Sequence, residues 1–271
     1  MADQLSTIQP DTARLEVQAV SLAYNGVAVL DNLTFSVPHG ERVAVVGPNG
    51  AGKSTLFKAL AGLMAVKEGQ IRIHGRPLGT HQDCVAYIPQ KEEVDWRFPV
   101  TVEDVVLMGR FGRVGWLRAP SKNDREVVRA CMEQMKIAPL AKRPIGELSG
   151  GQQQRVFLAR AMAQEPHILL MDEPFTGIDV TTQEILFNLL DGLRDRHVSV
   201  MVSTHDLNMA AQRFDRVLLL KRKLIAFGTA QEVFVPDSIR AAFGEQVLFM
   251  DGVVVVDHCC PGDEHDHSHE E

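Results

Sequence analysis

The strongest constraint on this chain is a glycine-rich segment that lies between an apolar run and a helical pattern. The apolar run, residues 43–46, predicts a buried strand, and residues 54–60 predict the helix that follows. The segment matches the phosphate-binding pattern G-x-x-x-x-G-K-[ST] with Gly47, Pro48, Asn49, Gly50, Ala51, Gly52, Lys53, Ser54 and Thr55. Glycines allow backbone N–H groups to turn toward an anion, and a helix N-terminus adds the positive end of its dipole. We therefore expect a phosphate site, with Lys53 near the β- and γ-phosphates and Ser54 on Mg²⁺. An ordinary glycine-rich turn is the alternative.

A second motif occupies residues 148–155. Its Ser149-x-x-Gln152 spacing has the form of a capping box and predicts that a helix begins here. Such an N-terminus presents the Ser149 hydroxyl and the N–H groups of Gly150 and Gly151 to an anion. A capped helix with no ligand is the alternative.

A third motif is an apolar strand, residues 168–171, that ends in two carboxylates. This arrangement suits a Walker B site, in which Asp172 holds Mg²⁺ directly or through water. Glu173 is then placed to accept a proton from an attacking water. The alternative is a strand that simply ends in polar residues.

The remaining patterns predict an α/β protein. Residues 14–37 alternate in polarity around a tight turn at Asn25-Gly26, and residues 70–75 form another strand and turn, so we expect an antiparallel layer. The apolar runs 168–171 and 198–202 each follow a helical stretch, as in β-α-β units. Residues 101–163 show helical spacing and predict a helical insert.

Composition excludes several classes of protein. The chain of 271 residues is 45% hydrophobic, yet it has no apolar stretch near the ~20 residues that cross a bilayer. We expect a cytosolic location, because the N-terminus lacks a signal-peptide pattern. Residues 257–271 carry −6 of the net charge of −7, so the remainder carries −1, which argues against a nucleic-acid partner. The four cysteines show no disulfide framework.

The three motifs, in this order, closely resemble the nucleotide-binding subunit of an ATP-binding cassette (ABC) transporter. The resemblance runs from about residue 15 to about residue 244. It implies a P-loop NTPase core with an antiparallel β subdomain and an inserted α-helical subdomain. The expected domain covers residues 14–256, with the helical subdomain at about 91–163. Residues 1–13 are then an N-terminal extension, and residues 257–271 are an acidic, His-rich tail.

The same resemblance implies further site residues. Tyr24 corresponds to the aromatic residue that stacks on adenine, although a half-buried strand tyrosine is the alternative. Gln90 corresponds to the glutamine that senses Mg²⁺ and the attacking water, and Asp179 to an aspartate carried at the dimer interface. His205 corresponds to the histidine that contacts the γ-phosphate. The expected catalytic set is Glu173, His205 and Gln90, and the expected Mg²⁺ set is Ser54, Gln90 and Asp172.

The resemblance also implies an assembly. In this family, residues corresponding to Ser149, Gly150, Gly151 and Gln152 of one subunit cover the ATP that the phosphate loop of the other subunit holds. We therefore expect a second copy of this chain as a partner and a peripheral position at the cytoplasmic face of the cell membrane. The further implied partners are an integral membrane permease and, indirectly, an extracytoplasmic metal-binding protein.

Residues 94–110 resemble the corresponding stretch of importers for manganese, zinc or chelated iron. Trp96 and Phe98 have a structural alternative, as anchors that tie the insert to the core. Four residues, Arg110, Arg113, Arg118 and Trp116, fit either a docking surface for the membrane subunit or an ordinary solvated edge. The sequence does not separate these alternatives.

The tail is a candidate metal-binding segment. His265, His267 and His269 alternate with other polar residues, and Cys259 and Cys260 lie nearby. Imidazole and thiolate groups favour Zn²⁺ over Mn²⁺, although a polar tail that merely contains histidines is the alternative.

Other functions within the same superfamily are less consistent with the sequence. Ribosome-associated ATPases usually carry two cassettes, and DNA-repair ATPases divide the cassette with a long coiled coil; neither feature is present. A non-enzymatic regulator is expected to lack Glu173 or His205. The nearest alternative substrates are siderophores or cobalamin.

Overall fold

The structure, a computed structural model, describes residues 13–24, 26–79, 84–90, 99–115, 119–244, 247–250 and 253–256. The strands are β1 (Ala13–Tyr24), β2 (Val27–Pro38), β3 (Arg42–Val46), β4 (Glu68–Ile73), β5 (Arg76–Pro77), β6 (Val85–Ile88), β7 (Ile168–Asp172), β8 (Ser199–Thr204), β9 (Arg216–Lys221), β10 (Lys223–Gly228), β11 (Val247–Met250) and β12 (Val253–Val256). The helices are α1 (Lys53–Leu60), α2 (Val102–Met108), α3 (Phe111–Val114), α4 (Lys122–Gln134), α5 (Gly150–Ala163), α6 (Val180–Asp195), α7 (Leu207–Arg213), α8 (Ala230–Val233) and α9 (Pro236–Phe243).

The expected antiparallel layer is a four-stranded sheet with the order β2-β1-β4-β5. A bulge interrupts β1 between Val17 and Val20, where Ala19 adopts a left-handed φ of 50°. The extra residue keeps Val20 on the same buried face as Val17, although the two are three positions apart. The bulge therefore explains why the apolar spacing of this strand departs from strict alternation.

The central sheet has six strands in the order β10-β9-β3-β8-β7-β6. The pairs that β3 makes with β8 and β9, and β7 with β6 and β8, are parallel, while β10 runs antiparallel to β9 at one edge. This arrangement confirms the parallel strands expected at 168–171 and 198–202. The carboxyl ends of the five parallel strands lie along one edge of the sheet.

Both faces of the central sheet are buried, and alternate residues of each strand contact different layers. In β3, Val43 and Val45 pack with β1, β2 and α1, whereas Ala44 and Val46 pack on the opposite side with the helical layer. A parallel strand that is covered on both faces reads as a continuous apolar run, which is why residues 43–46 contain no polar position.

The expected helical insert contains α2, α4 and α5, whose apolar faces pack into the larger core. Thr101 and Ser121 form capping boxes at the starts of α2 and α4. Arg110 is only 4% exposed, and it pairs with Asp124 at 2.9 Å and with Glu165 at 2.8 Å. Neither sequence interpretation of Arg110 is therefore correct, because this side chain is a buried tie between helices.

Several expectations fall on residues outside the described ranges. These are Arg118, Trp116, Trp96, Phe98, Asn25 and the tail 257–271. The first strand begins at Ala13, one residue before the expected domain start. Within the described part of the chain, none of the helices combines the length and apolar character that a membrane span requires.

Candidate functional site

The phosphate loop connects the end of β3 to the start of α1. Gly52 precedes the helix with a left-handed φ of 100°, and a Cβ at this position would lie 2.4 Å from Leu30 Cδ2. Both the backbone conformation and the close approach therefore require glycine. No side chain caps the N-terminus of α1, so its first N–H groups remain available to an anion.

Lys53 is buried at the start of α1 and holds the loop in shape. Its Nζ donates hydrogen bonds to the carbonyl oxygens of Gly47, at 2.8 Å, and Pro48, at 3.3 Å. Burial lowers the pKa of Lys53, while the charges of Glu173 and Asp172 act in the opposite direction. The lysine charge therefore lies within electrostatic reach of both carboxylates.

Asp172 ends the buried strand β7 and Glu173 follows it, and Ser203 of the neighbouring β8 bonds to both residues. The Ser203 hydroxyl donates to Asp172 Oδ1 and accepts from the backbone N–H of Glu173 at 2.8 Å. Glu173 adopts a left-handed φ of 46°, which is unusual for a residue other than glycine. The strand end is thus held in a strained turn that directs Glu173 away from the path of the strand.

Glu173 and His205 line one cavity at the carboxyl edge of the central sheet. The cavity has a volume of about 280 Å³, and Thr176, Ser203 and Thr204 contribute to its wall. His205 follows β8 directly and is exposed to solvent. A carboxylate and an imidazole therefore line the same space.

Gln90 and Tyr24 lie at or just beyond the ends of other strands, β6 and β1. Gln90 lies two residues after β6, which pairs with β7, so it belongs to the same carboxyl edge as Glu173. Tyr24 ends β1 and is 67% exposed, so its ring is available for stacking. Ser54 and Thr55 lie in the first turn of α1.

The expected helix start at Ser149 is confirmed. Ser149 Oγ accepts from the N–H of Gln152, and the Gln152 side chain accepts from the N–H of Ser149 at 3.0 Å. Gly151 packs directly on the start of α6, because a Cβ at this position would lie 2.2 Å from Asp179 Oδ2.

The Asp179 carboxylate accepts hydrogen bonds from the first turn of its own helix, α6. It accepts from the N–H of Thr182 at 2.8 Å and from the Thr182 hydroxyl at 3.0 Å. These two hydrogen bonds lower the pKa of Asp179. In this chain the aspartate caps α6 and supports Gly151.

The predicted site residues form two groups. The phosphate loop, Gln90, Asp172, Glu173 and His205 share the carboxyl edge of the central sheet, whereas residues 149–152 begin the helix α5. Among the described residues, no hydrogen bond or ion pair joins residues 47–55 to residues 149–152. The phosphate loop and residues 149–152 therefore lie at the starts of different helices, α1 and α5.

The family described as ABC transporter matches residues 30–176, which is more than half of the chain. The chain belongs to the ABC transporter family. The manganese transport system ATP-binding protein MntB of Bacillus subtilis (strain 168) is 42% identical over 243 residues, which cover 90% of this chain and 97% of MntB. The zinc transport system ATP-binding protein TroB of Treponema pallidum (strain Nichols) is also 42% identical over 243 residues, covering 90% of this chain and 91% of TroB.

A solved structure of a metal-chelate type ABC transporter in an inward-facing conformation has the same fold. It superposes with a TM-score of 0.74 at 28% identity, covering 90% of this chain and 95% of the solved chain. The expected ABC ATPase fold is confirmed, and so is the resemblance to the ABC transporter family.

Sequence reasoning missed two residues that organise this ABC transporter site. Ser203 bonds the carboxylate of Asp172 and the backbone N–H of Glu173, and the signal that could have found it is a serine next to the last residue of a buried strand. Thr182 is fully buried and holds Asp179. A threonine three residues after an aspartate is common at helix starts, so no sequence signal marks this one.

Proposed function

We propose that this chain is the ATP-hydrolysing subunit of an importer that moves manganese, zinc or chelated iron through a separate membrane subunit. The single observation that carries the hydrolytic part is the arrangement of Lys53, Glu173 and His205 at one edge of the sheet. The names of the manganese and zinc relatives support a divalent metal as cargo. The protein is expected at the cytoplasmic face of the cell membrane, attached through the permease.

The phosphate loop binds the nucleotide by presenting N–H groups and the Lys53 ammonium. Because Lys53 already bonds to Gly47 and Pro48, the loop is preformed and loses little freedom on binding. The exposed Tyr24 ring offers a stacking surface for adenine.

The residues Ser54, Gln90 and Asp172 fit Mg²⁺, because a hydroxyl, an amide and a carboxylate supply the hard oxygen atoms that this ion prefers. Asp172 is only 3% exposed, and Ser203 orients it, so one ligand is fixed in place. When bound, Mg²⁺ neutralises charge on the phosphate oxygens.

Glu173 is the proposed general base. Its backbone N–H is held by Ser203, and Thr176 Oγ1 lies 3.5 Å from its carboxylate, so the side chain projects into the cavity from a rigid turn. Glu173 takes a proton from the attacking water, and His205, which lines the same cavity, contacts the γ-phosphate. Positioning and charge stabilisation then supply most of the catalysis.

A second copy of the chain completes each nucleotide site in this proposal. The different positions of the two motifs support it, because among the described residues no hydrogen bond or ion pair joins residues 149–152 to residues 47–55. ATP then closes two copies together, and hydrolysis releases them. This cycle drives the permease, which receives the ion from an extracytoplasmic binding protein.

The substitution Glu173→Gln tests both the general-base role of Glu173 and the nucleotide site that a second copy completes. It removes the basic carboxylate but keeps the size and shape of the side chain. Steady-state ATP hydrolysis should therefore fall by roughly 100-fold or more while nucleotide binding persists. Light scattering should detect a dimer in the presence of Mg²⁺ and ATP. Glu184→Gln, the same change on an exposed position of α6, is the matched control and should hydrolyse ATP at the normal rate.

Near-normal hydrolysis by Glu173→Gln would remove this residue from the base role. A monomer at saturating ATP would contradict the two-copy site. The metal cargo is tested separately, by uptake of radioactive manganese and zinc in cells that lack the gene.

A further inference from the structure

A cluster of metal-ligating side chains lies away from the nucleotide site. His74 follows β4, Cys84 precedes β6 and His167 precedes β7. One potential ligand atom from each residue lies within 4.8 Å of the other two. The two imidazoles are closest, with His74 Nε2 lying 2.9 Å from His167 Nδ1. Three residues that are far apart in the sequence therefore converge on one point.

The cluster and the nucleotide site occupy opposite edges of the central sheet. Cys84 and His167 lie at the amino ends of β6 and β7, whereas Asp172 ends β7 at the other side. Asp172 lies five positions after His167, which corresponds to about 16 Å along an extended strand. The cluster is therefore not a part of the catalytic arrangement.

A buried arginine lies next to the cluster. Arg14 is 7% exposed, donates to the His197 carbonyl oxygen at 2.6 Å and lies 3.0 Å from His74 Nε2. Arg14 Nε has no hydrogen-bond partner, and across the described ranges Arg14 forms no ion pair with a carboxylate. Burial lowers the pKa of Arg14, and the nearby Cys84 opposes this shift. Arg14 therefore lies within electrostatic reach of Cys84.

The His74 ring also has competing neighbours. Its Nε2 atom faces both Arg14 NH1 and His167 Nδ1, yet this atom carries either one lone pair or one proton. It cannot form a full-strength hydrogen bond with both groups. A cation that accepts the lone pairs of both imidazoles would remove this competition.

We propose that His74, Cys84 and His167 form a binding site for Zn²⁺ or a similar late first-row cation. Two imidazoles and a thiolate are the ligands of Zn²⁺, whereas Mn²⁺ and Mg²⁺ prefer oxygen. Tetrahedral zinc with bonds of about 2.0–2.3 Å separates its ligand atoms by roughly 3.3–3.6 Å, so the two imidazole nitrogens need to move apart by only about 0.4 Å. Water takes the fourth position.

The site has an entry path and a structural consequence. An open cavity of about 390 Å³ is lined by Cys84, His167, Glu165 and Arg113. A bound ion would join the antiparallel sheet, through His74, to the central sheet, through Cys84 and His167. Because the ion binds only the folded protein tightly, it should raise the thermal midpoint.

The test uses the full chain and removes the tail as a competing binder. The background variant carries serine at six tail positions: His258, Cys259, Cys260, His265, His267 and His269. Calorimetry should show one equivalent of Zn²⁺ per chain and no comparable binding of Mn²⁺. Co²⁺ should give the near-ultraviolet charge-transfer band of a cobalt–thiolate bond.

Three variants in that background locate the ligands. Cys84→Ser keeps the side-chain size and should abolish the cobalt–thiolate band. His167→Ala should weaken Zn²⁺ binding by roughly 100-fold, because one of three protein ligands is lost. Cys131→Ala, at the buried cysteine of α4, is the matched control and should keep both signals. ATP hydrolysis reports that each variant is folded, since the site lies at the other edge of the sheet.

Clear outcomes would overturn the proposal. These are the absence of Zn²⁺ binding in the background variant, a cobalt–thiolate band that survives Cys84→Ser, or equal binding of Mn²⁺ and Zn²⁺. If Cys84→Ser does not fold, an unchanged Zn²⁺ affinity of His167→Ala would also overturn the proposal.

Discussion

Removal of Arg110 should destabilise the helical region far more than its position in the sequence suggests. The guanidinium contacts Asp124 near the start of α4, and Glu165 and the Ala163 carbonyl oxygen at the end of α5. Arg110 itself follows α2, so one side chain connects three helices. The substitution Arg110→Ala removes all of these contacts together.

The expected loss of unfolding free energy depends on which partners the carboxylates of Asp124 and Glu165 keep. Breaking a buried ion pair by removing one partner costs about 3–5 kcal/mol. Glu165 keeps a second partner, Arg113, at 2.9 Å, and Asp124 keeps its hydrogen bonds from Ser121. The remaining carboxylates are therefore not orphaned, and we expect the lower end, about 3 kcal/mol.

The assay is urea unfolding followed by circular dichroism, with a matched control in the same region. Arg129 forms an exposed pair with Glu133 one turn away in α4, with side-chain exposures of 76% and 57%. Arg129→Ala should cost only about 0.3–0.5 kcal/mol, because solvent screens such a pair. In thermal scans, Arg110→Ala should lower the midpoint by roughly 6–12 °C.

Similar losses of unfolding free energy for the two variants, within about 1 kcal/mol of each other, would contradict this role for Arg110. Equal losses would mean that burial of the Arg110 network contributes nothing beyond a surface pair. Arg110→Lys adds a further check, because an ammonium cannot reproduce the planar contacts and should recover only part of the loss.

Two further predictions concern acid stability and helix packing. Hydrogen bonds from Ser121, and then from Arg110, hold the pKa of Asp124 at about 2, below its usual 3.8. Because of this depressed pKa, ionised Asp124 stabilises the fold above about pH 5, and this contribution is lost as the pH falls from about 4 toward 2. The urea midpoint of Asp124→Asn should therefore change less with pH across that window. Gly151→Ala should cost about 1–3 kcal/mol and reduce ATP hydrolysis, because the new methyl group meets Asp179 and Thr182. Gly192→Ala in α6, with nothing within 4 Å, is the control and should be neutral or stabilising in the same unfolding assay; similar losses at both glycines would refute the contact argument.

Much of the fold can be predicted from local sequence patterns. The apolar run 43–46, the loop and the helix at 53–60 depend on interactions between near neighbours, so the sequence predicts them together. The capping box at Ser149 is similarly local. The bulge at Ala19 was not predicted, because strict alternation is the only signal that a strand usually carries.

From the amino-acid sequence alone one can predict the nucleotide motifs, the alternation of strands and helices, and the resemblance to the ABC transporter family. Three features emerge only in the folded chain: Arg110 is buried, Ser203 joins Asp172 to Glu173, and His74 meets His167 across 93 positions. Propensity and periodicity act over only a few residues. Burial and ligand geometry depend instead on which strand edges and helix ends the packing brings together.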